Sequence, residues 1–325
     1  SKKLKWIHFG SAGVENSLFP SLLRSKTIIT NSSGIHANSV SEFVIARILY
    51  FAKQFSDCEK FYKNKEWNQW QIAKRMQNLN EKTIGIIGYG SIGRKHYDIV
   101  SRLTNIKNII VITSQLEKFN FKKNLRSSID FNPDYFIIAN ETFKHEKSIK
   151  ILEQNFKNKN ILVEKPLFSS PSKIKAKNNI YYVGYNLRFH PILQDIKKII
   201  KNKKILNVNI LCGSYLPKWR NNINYTKSYS SSKKKGGGIL FELSHELDFI
   251  NWIFGKYKPI FSNISKKSNL KINVDDSADL ILKNKQNYII NLSMNFYSKL
   301  NYRFIIVNCE NISIFDDIIK NKITI

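Results

Sequence analysis

Three short stretches of this chain carry residue types suited to redox chemistry. In "GIIGYGSIG", Gly88, Gly90 and Gly93 form GxGxxG between an apolar run and a helix-like run. The first glycine permits a tight turn, the second lets backbone approach a pyrophosphate, and the third allows close helix packing, while free N–H groups at the helix start face negative charge. Tyr89, Ser91 and Ile92 fill the spaces, so residues 88–93 together are the candidate dinucleotide contact. Further on, Lys165 stands between Glu164 and Pro166 after the apolar "NILV", and His245 lies in "ELSHELD" behind Glu242. Moving a hydride to or from a carbon that bears oxygen also requires a proton to move on that oxygen. A cation that lowers the hydroxyl pKa and an imidazole that shuttles the proton both serve it. Taken singly, Lys165 also reads as a surface lysine and His245 as a structural histidine.

In dinucleotide folds the second strand often ends in a carboxylate that holds the ribose 2′-hydroxyl of NAD. Here that strand ends "VITSQLEK", with Thr113 and Ser114 where the acid would stand and Lys118 close behind. Hydroxyls without a repelling carboxylate favour NADP slightly, and Glu117 leaves NAD open.

The elements that must position these residues follow from periodicity. From residue 83 apolar strands alternate with helices: "TIGIIG", "SIGRKHYDIVSRL", "NIIVIT", "DYFIIA", "KHEKSIKILEQ", "NILVEKP" and "IYYVGYN". Strands apolar almost throughout and separated by helices predict a parallel sheet covered on both faces. After "HPILQDIKKII" come "KILNVNILCG", "ADLILK", "YIINLSMNF" and "YRFIIVNCE" in succession, which predicts a second, α+β domain on a largely antiparallel sheet. Ahead of residue 80 the chain alternates strand, turn, short helix and strand over 4–30, then shows helical spacing over 36–55 with Ser39 and Ser41 as candidate caps. Residues 56–80 read as a linker. The expected division is therefore 1–80, 81–184 and 185–325.

An apolar fraction of 42% with 13% aromatics is that of a globular chain able to bury two cores. No run approaches the ~18 apolar residues of a membrane span, and the expectation is a cytoplasmic protein. The three cysteines are scattered and unpaired in sequence, which suggests neither disulfides nor a metal site. A formal charge of +29 raises the question of nucleic acid. Lysines are spread along the whole chain beside Asn and Ile, with "SSSKKKGGG" the one basic cluster, so no specific nucleic-acid surface is expected.

The motifs after residue 82 resemble the family of glucose-fructose oxidoreductase, inositol dehydrogenase and rhizopine-catabolism proteins (Gfo/Idh/MocA). "GYGSIGRKH", "PDYFIIANETFKHEKSI", "ILVEKPL", "VGYNLRFHP", "GSYLPKWR" and "GGGILFELSHELDFINWIFG" carry the resemblance in order. It implies a Rossmann domain with a C-terminal α+β domain, and Lys165 beside the nicotinamide with His245 as acid/base. It also implies a cofactor contact at Asn140 and His145, and substrate or cofactor contact at Asn186, Arg188, Trp219 and Arg220. The implied substrate is a sugar or nucleotide-sugar, as in surface-polysaccharide or sialic-acid-like biosynthesis, handled by a homo-oligomer. Many members carry Asp and then His four residues on, whereas Glu242 precedes His245 by three. Asp248 is a second candidate to orient the imidazole.

Upstream, "LKWIHFGSAGVENS", "TIITNSSGIHANSVSEFVIARIL" and "EWNQW" with the glycine turn resemble D-isomer-specific 2-hydroxyacid dehydrogenases over 4–94. That family takes its catalytic Arg, Glu and His from later motifs absent here, so the front reads as a partial, flavodoxin-like α/β segment fused to the sugar oxidoreductase. The C-terminus also reads as short of the family's last helices. A 2-hydroxyacid dehydrogenase and a catalytically inactive nucleotide-binding scaffold are the rival readings.

Overall fold

A computed structural model describes residues 5–9, 20–25, 27–31, 46, 49–50, 52–79, 82–102, 106–114, 121–122, 125–172, 174–219 and 224–325. The chain divides into two compact units, His36–Gly184, and Tyr185–Ile325 with Ser1–Ile35. At the front, β1 (Trp6–Phe9) and β2 (Ile28–Asn31) pair in parallel, Trp6 opposite Ile28, with the short helix α1 (Pro20–Leu23) between them in sequence. The "SAGVEN" loop and most of the 36–55 stretch, Ser39 and Ser41 included, lie outside the described residues. The stretch read as a linker carries two helices, α2 (Phe55–Asn64) and α3 (Gln69–Ala73). Neither was expected because the stripe is weak: α2 buries none of its residues, and Trp67 and Trp70 are exposed.

The nucleotide unit is built on β3 (Lys82–Ile87), β4 (Ile106–Ile112), β5 (Phe121–Lys122), β6 (Tyr135–Ile138), β7 (Asn160–Val163) and β8 (Ile180–Val183). They lie in the order β5-β4-β3-β6-β7-β8, and every pair is parallel. This is a Rossmann sheet, whose strand order reverses at β3. Its faces alternate by residue: Ile84, Ile86, Tyr135 and Ile137 fill one core, and Ile87, Phe136, Ile138 and Val163 the other. Helix α4 (Ser91–Val100) follows the glycine turn and α5 (Thr142–Asn155) follows β6.

The other unit carries a seven-stranded sheet of order β10-β11-β12-β9-β13-β14-β15. Its strands are β9 (Ile205–Tyr215), β10 (Tyr257–Ser265), β11 (Ser277–Asn284), β12 (Ile289–Asn295), β13 (Tyr297–Cys309), β14 (Ser313–Asp317) and β15 (Lys322–Thr324). All neighbours are antiparallel except β12 and β9. Val208, Ile210, Cys212, Leu292, Met294 and Ile305 face a core shared with α6 (Pro191–Ile199), α7 (Ile239–Glu242) and α8 (Ser244–Phe254). The edge strand β10 escapes sequence reading because Pro259 interrupts it; the register shifts between Pro259 and Phe261, where an edge tolerates the lost donor.

Candidate functional site

The candidate cofactor residues gather at one rim of the Rossmann sheet. Gly88 follows β3, Thr113 follows β4, Asn140 follows β6 and Glu164 follows β7, so all four occupy the carboxyl ends of parallel strands. The glycine turn is sterically specified. Gly88 has φ +97° and is tied to β4 by its N–H, which donates to the Ile112 carbonyl at 2.8 Å. A Cβ there would lie 2.5 Å from the Asn140 nitrogen, and one at Gly93 would lie 2.1 Å from the Gly88 carbonyl oxygen. At Gly90 a Cβ meets nothing within 4 Å. Two glycines thus close the turn on protein while the middle one opens on space, as a pyrophosphate cradle requires. Tyr89 is buried beneath the Arg94 guanidinium, 4.9 Å from its ring centre. Ser91 and Ile92 are exposed at the helix start, as is Ser114, while Thr113 is half-buried with its N–H donating to the Lys122 carbonyl at 2.8 Å. Glu117 and Lys118 lie outside the described residues.

The Glu164–Lys165–Pro166 loop is held from two helices. From α4, His96 Nε2 meets Glu164 Oε1 at 2.7 Å, with His96 almost wholly buried. Burial opposes ionisation of Glu164, but the His96 bond and charge and the adjoining Lys165 prevail and hold its carboxyl below the usual range. From α5, His145 Nδ1 lies 3.2 and 3.1 Å from the Pro166 and Leu167 carbonyls, and Nε2 lies 3.0 Å from the Asn140 carbonyl. Burial pushes the His145 pKa down, against the pull of those carbonyls. Asn140 turns its amide to Ser148, donating at 3.0 Å, and Lys165 itself is half-buried after this strand end. Sequence reasoning missed His96. The available signal was its place on the buried stripe of α4 with Gly93, Ile99 and Val100.

In the other unit His245 opens α8, its ring edge-on to Tyr185 at 5.6 Å. Glu242 ends α7, and Leu243 breaks the helical path between the two with φ −100° and ψ 31°. Glu242 is buried and accepts from the Tyr229 hydroxyl at 3.4 Å. Asp248, the second candidate to orient the imidazole, accepts from Arg188, which donates from Nε at 2.8 Å and from Nη2 at 2.6 Å. That fork commits two of the guanidinium's five donors. Asn186 opens the adjoining 3-10 turn and is half-buried. Trp219 donates from its indole to Ser214 at 2.9 Å and stands edge-on to Phe296. Arg220 lies outside the described residues. Among the described residues, no cluster of His, Cys, Asp or Glu has metal-binding form.

Comparison with known proteins separates the chain's parts. Residues 193–315 match the GFO/IDH/MocA C-terminal domain. That part of the chain is Gfo/Idh/MocA-like, and it lies behind a segment like 2-hydroxyacid dehydrogenases. Residues 45–130 match the D-isomer specific 2-hydroxyacid dehydrogenase NAD binding domain, so that likeness runs through the glycine turn and past β5. Levoglucosan dehydrogenase of Pseudarthrobacter phenanthrenivorans is 25% identical over 217 residues, 58% of this chain and 55% of that protein. D-3-phosphoglycerate dehydrogenase 1 of Saccharomyces cerevisiae is 32% identical over 108 residues, 29% of this chain and 23% of that one. The chain spans about half the length of the first curated relatives it matches. Among solved structures, the WlbA dehydrogenase from Bordetella pertussis, in complex with NADH and UDP-GlcNAcA, shares the fold. Its TM-score is 0.66 at 16% identity, over 75% of this chain and 82% of that one. Levoglucosan dehydrogenase in complex with NADH gives 0.62 at 19%, over 74% of each.

Proposed function

We propose that this chain is a nicotinamide-dependent oxidoreductase that moves a hydride to or from a hydroxyl- or keto-bearing carbon of a sugar or nucleotide-sugar. The observation that supports this best is the gathering of the glycine turn, Asn140 and Glu164–Lys165–Pro166 along one carboxyl rim, the side on which open α/β sheets bind ligands. The residues present suit a dinucleotide, since the turn is closed at Gly88 and Gly93 and open at Gly90. In this reading residues 88–93 hold the pyrophosphate, and Thr113 and Ser114 hold the adenosine ribose, with NADP slightly favoured over NAD. Asn140, His145 and residues 164–166 border the nicotinamide. When bound, the nicotinamide supplies or takes the hydride.

The protein's share is orientation and proton transfer. Lys165 binds the substrate oxygen and stabilises the negative charge that grows on it as the C–H bond breaks. His245 takes the hydroxyl proton in oxidation and returns it to the carbonyl oxygen in reduction, so the oxygen never carries a full charge. Glu242 supports that acid/base work, and Asn186, Arg188, Trp219 and Arg220 contact the substrate. The further parts of the proposal are a cytoplasmic homo-oligomer, the division 1–80, 81–184 and 185–325, and a role in building surface sugars.

The test is a fluorescence titration with NADH and NADPH in moderate salt, followed by turnover assays with levoglucosan and UDP-GlcNAcA as probes. Lys165→Ala is expected to lower turnover by ~10²–10⁴-fold while cofactor affinity stays within about threefold. Full activity in that variant would overturn the assignment. The match of residues 45–130 supports a second reading, oxidation of a small D-2-hydroxyacid, which rapid cofactor reduction by glycerate or lactate would favour. Cofactor binding without turnover on either substrate class would point to a nucleotide-binding scaffold.

A further inference from the structure

The loop that carries Lys165 has no regular secondary structure of its own, so its position depends on what holds its neighbours. Glu164 is its first anchor: the backbone N–H donates to the Ile138 carbonyl at 2.9 Å, which ties β7 to β6. Its carboxylate reaches sideways to His96 at 2.7 Å, across 68 residues of chain. Glu164 is held as an acceptor-only carboxylate, so His96 Nε2 carries the hydrogen and donates it. The other ring nitrogen, Nδ1, is buried and has no hydrogen-bond partner among the described residues. The imidazole therefore makes a single directed contact, and that contact ends on the residue before Lys165.

His96 also belongs to the helix that the glycine turn starts. It lies on the buried face of α4 with Gly93, and Gly93 abuts the Gly88 carbonyl so closely that no Cβ fits between them. A displacement of α4 is thus a displacement of the turn. The second imidazole, His145, meets the Pro166 and Leu167 carbonyls from α5 on the far side of Lys165. Lys165 is bracketed, and both sides of the bracket reach the glycine turn: His145 through Asn140, which packs against Gly88, and His96 through the helix that the turn itself starts.

We infer that His96 is a positioning residue: through Glu164 it sets the Lys165 loop at a fixed place relative to the glycine turn, so that the two ends of one dinucleotide meet both features together. The inference rests on the nucleotide-binding reading of this rim, and it adds a residue that touches neither cofactor nor substrate. It also accounts for a polar ring placed among Ile99 and Val100 on an otherwise apolar helix face.

Amide hydrogen exchange of the full chain, free of cofactor, tests the link directly. In His96→Leu the peptide spanning 164–167 is expected to exchange about tenfold faster or more, the scale of one lost charge-assisted hydrogen bond, with β3 unchanged. His96→Gln, whose amide nitrogen reaches the same place, is expected to restore slow exchange. Should His96→Leu fail to fold, His96→Asn, polar but too short to span the gap, carries the same expectation. Unchanged exchange in the loop, or failure of the glutamine variant to rescue it, would overturn the inference. A parallel NADH titration separates this result from the proposed function. Where the wild-type chain binds NADH, His96→Leu should lower turnover on the probe sugars about tenfold or more and His96→Gln should recover it. Where the wild-type chain binds no nucleotide, the functional reading falls and the exchange comparison alone still decides the link between His96 and the loop.

Discussion

A methyl group added at Gly93 would stand 2.1 Å from a carbonyl oxygen, whereas one added at Gly90 would meet nothing within 4 Å. Two glycines of one motif therefore have different duties. Gly93→Ala is expected to destabilise the nucleotide unit by about 1–3 kcal/mol through overpacking against backbone. Gly90→Ala should leave the melting temperature unchanged and, if the proposed nucleotide site holds, weaken NADH binding about tenfold or more, because its methyl would enter the open space beside the turn. Thermal melts beside a fluorescence titration distinguish the two. Asp316 is a second residue with a readable outcome. It is wholly buried, both carboxyl oxygens lack hydrogen-bond partners among the described residues, and burial together with Asp317 pushes its pKa from 3.8 up to about 7. The folded value lies above the unfolded one, so its stabilising contribution is complete below the unfolded value and is lost as pH rises through about 7. Asp316→Asn should remove that loss and gain about 1–3 kcal/mol at pH ~8 relative to wild type, measured by denaturant unfolding.

Helix α8 is fastened to the sheet by charge as well as by apolar contact. Glu246, wholly buried, meets Arg303 Nε of β13 at 2.7 Å, beside Cys212 of β9. Burial, with Glu246 adding to it, pushes the Cys212 thiol up to about 12, while Glu246 and Cys212 outweigh burial to raise Arg303. Removing one partner leaves the other charge buried, so Arg303→Met alone should cost about 3–5 kcal/mol, and adding Glu246→Leu should recover much of it. A double-mutant cycle by urea unfolding measures this. At this scale the sequence was legible where apolar spacing was strong. The Rossmann strands appear where their periodicity placed them. Strand β10 and helices α2 and α3 did not show, since Pro259 breaks one pattern and few buried residues mark the others. The cofactor turn was readable because its glycines answer local backbone needs. The pairing of Asp248 with Arg188 was not, because a carboxylate one turn from a histidine suits either partner.

For the whole chain the formal charge of +29 is the dominant long-range quantity. Self-repulsion opposes compaction and is screened over about 8 Å at physiological salt. The melting temperature is expected to rise between ~20 and ~200 mM NaCl, and retention on a polyanion matrix should fall over the same range. A specific nucleic-acid site would instead keep one sequence bound as salt rises. The roles of Lys165 and His245 came only with the family resemblance, whereas composition and periodicity by themselves determined the two kinds of sheet and the glycine turn. Such features depend on a few neighbouring residues, so spacing alone reveals them. Only the tertiary structure decided that His96 meets Glu164 across 68 residues, that Arg188 claims Asp248, and that Glu246 meets Arg303 in the core. Those partners are chosen by the path of the chain: side chains distant in sequence become neighbours once the strands are ordered, and in a buried place each polar group must be matched by whatever that path delivers.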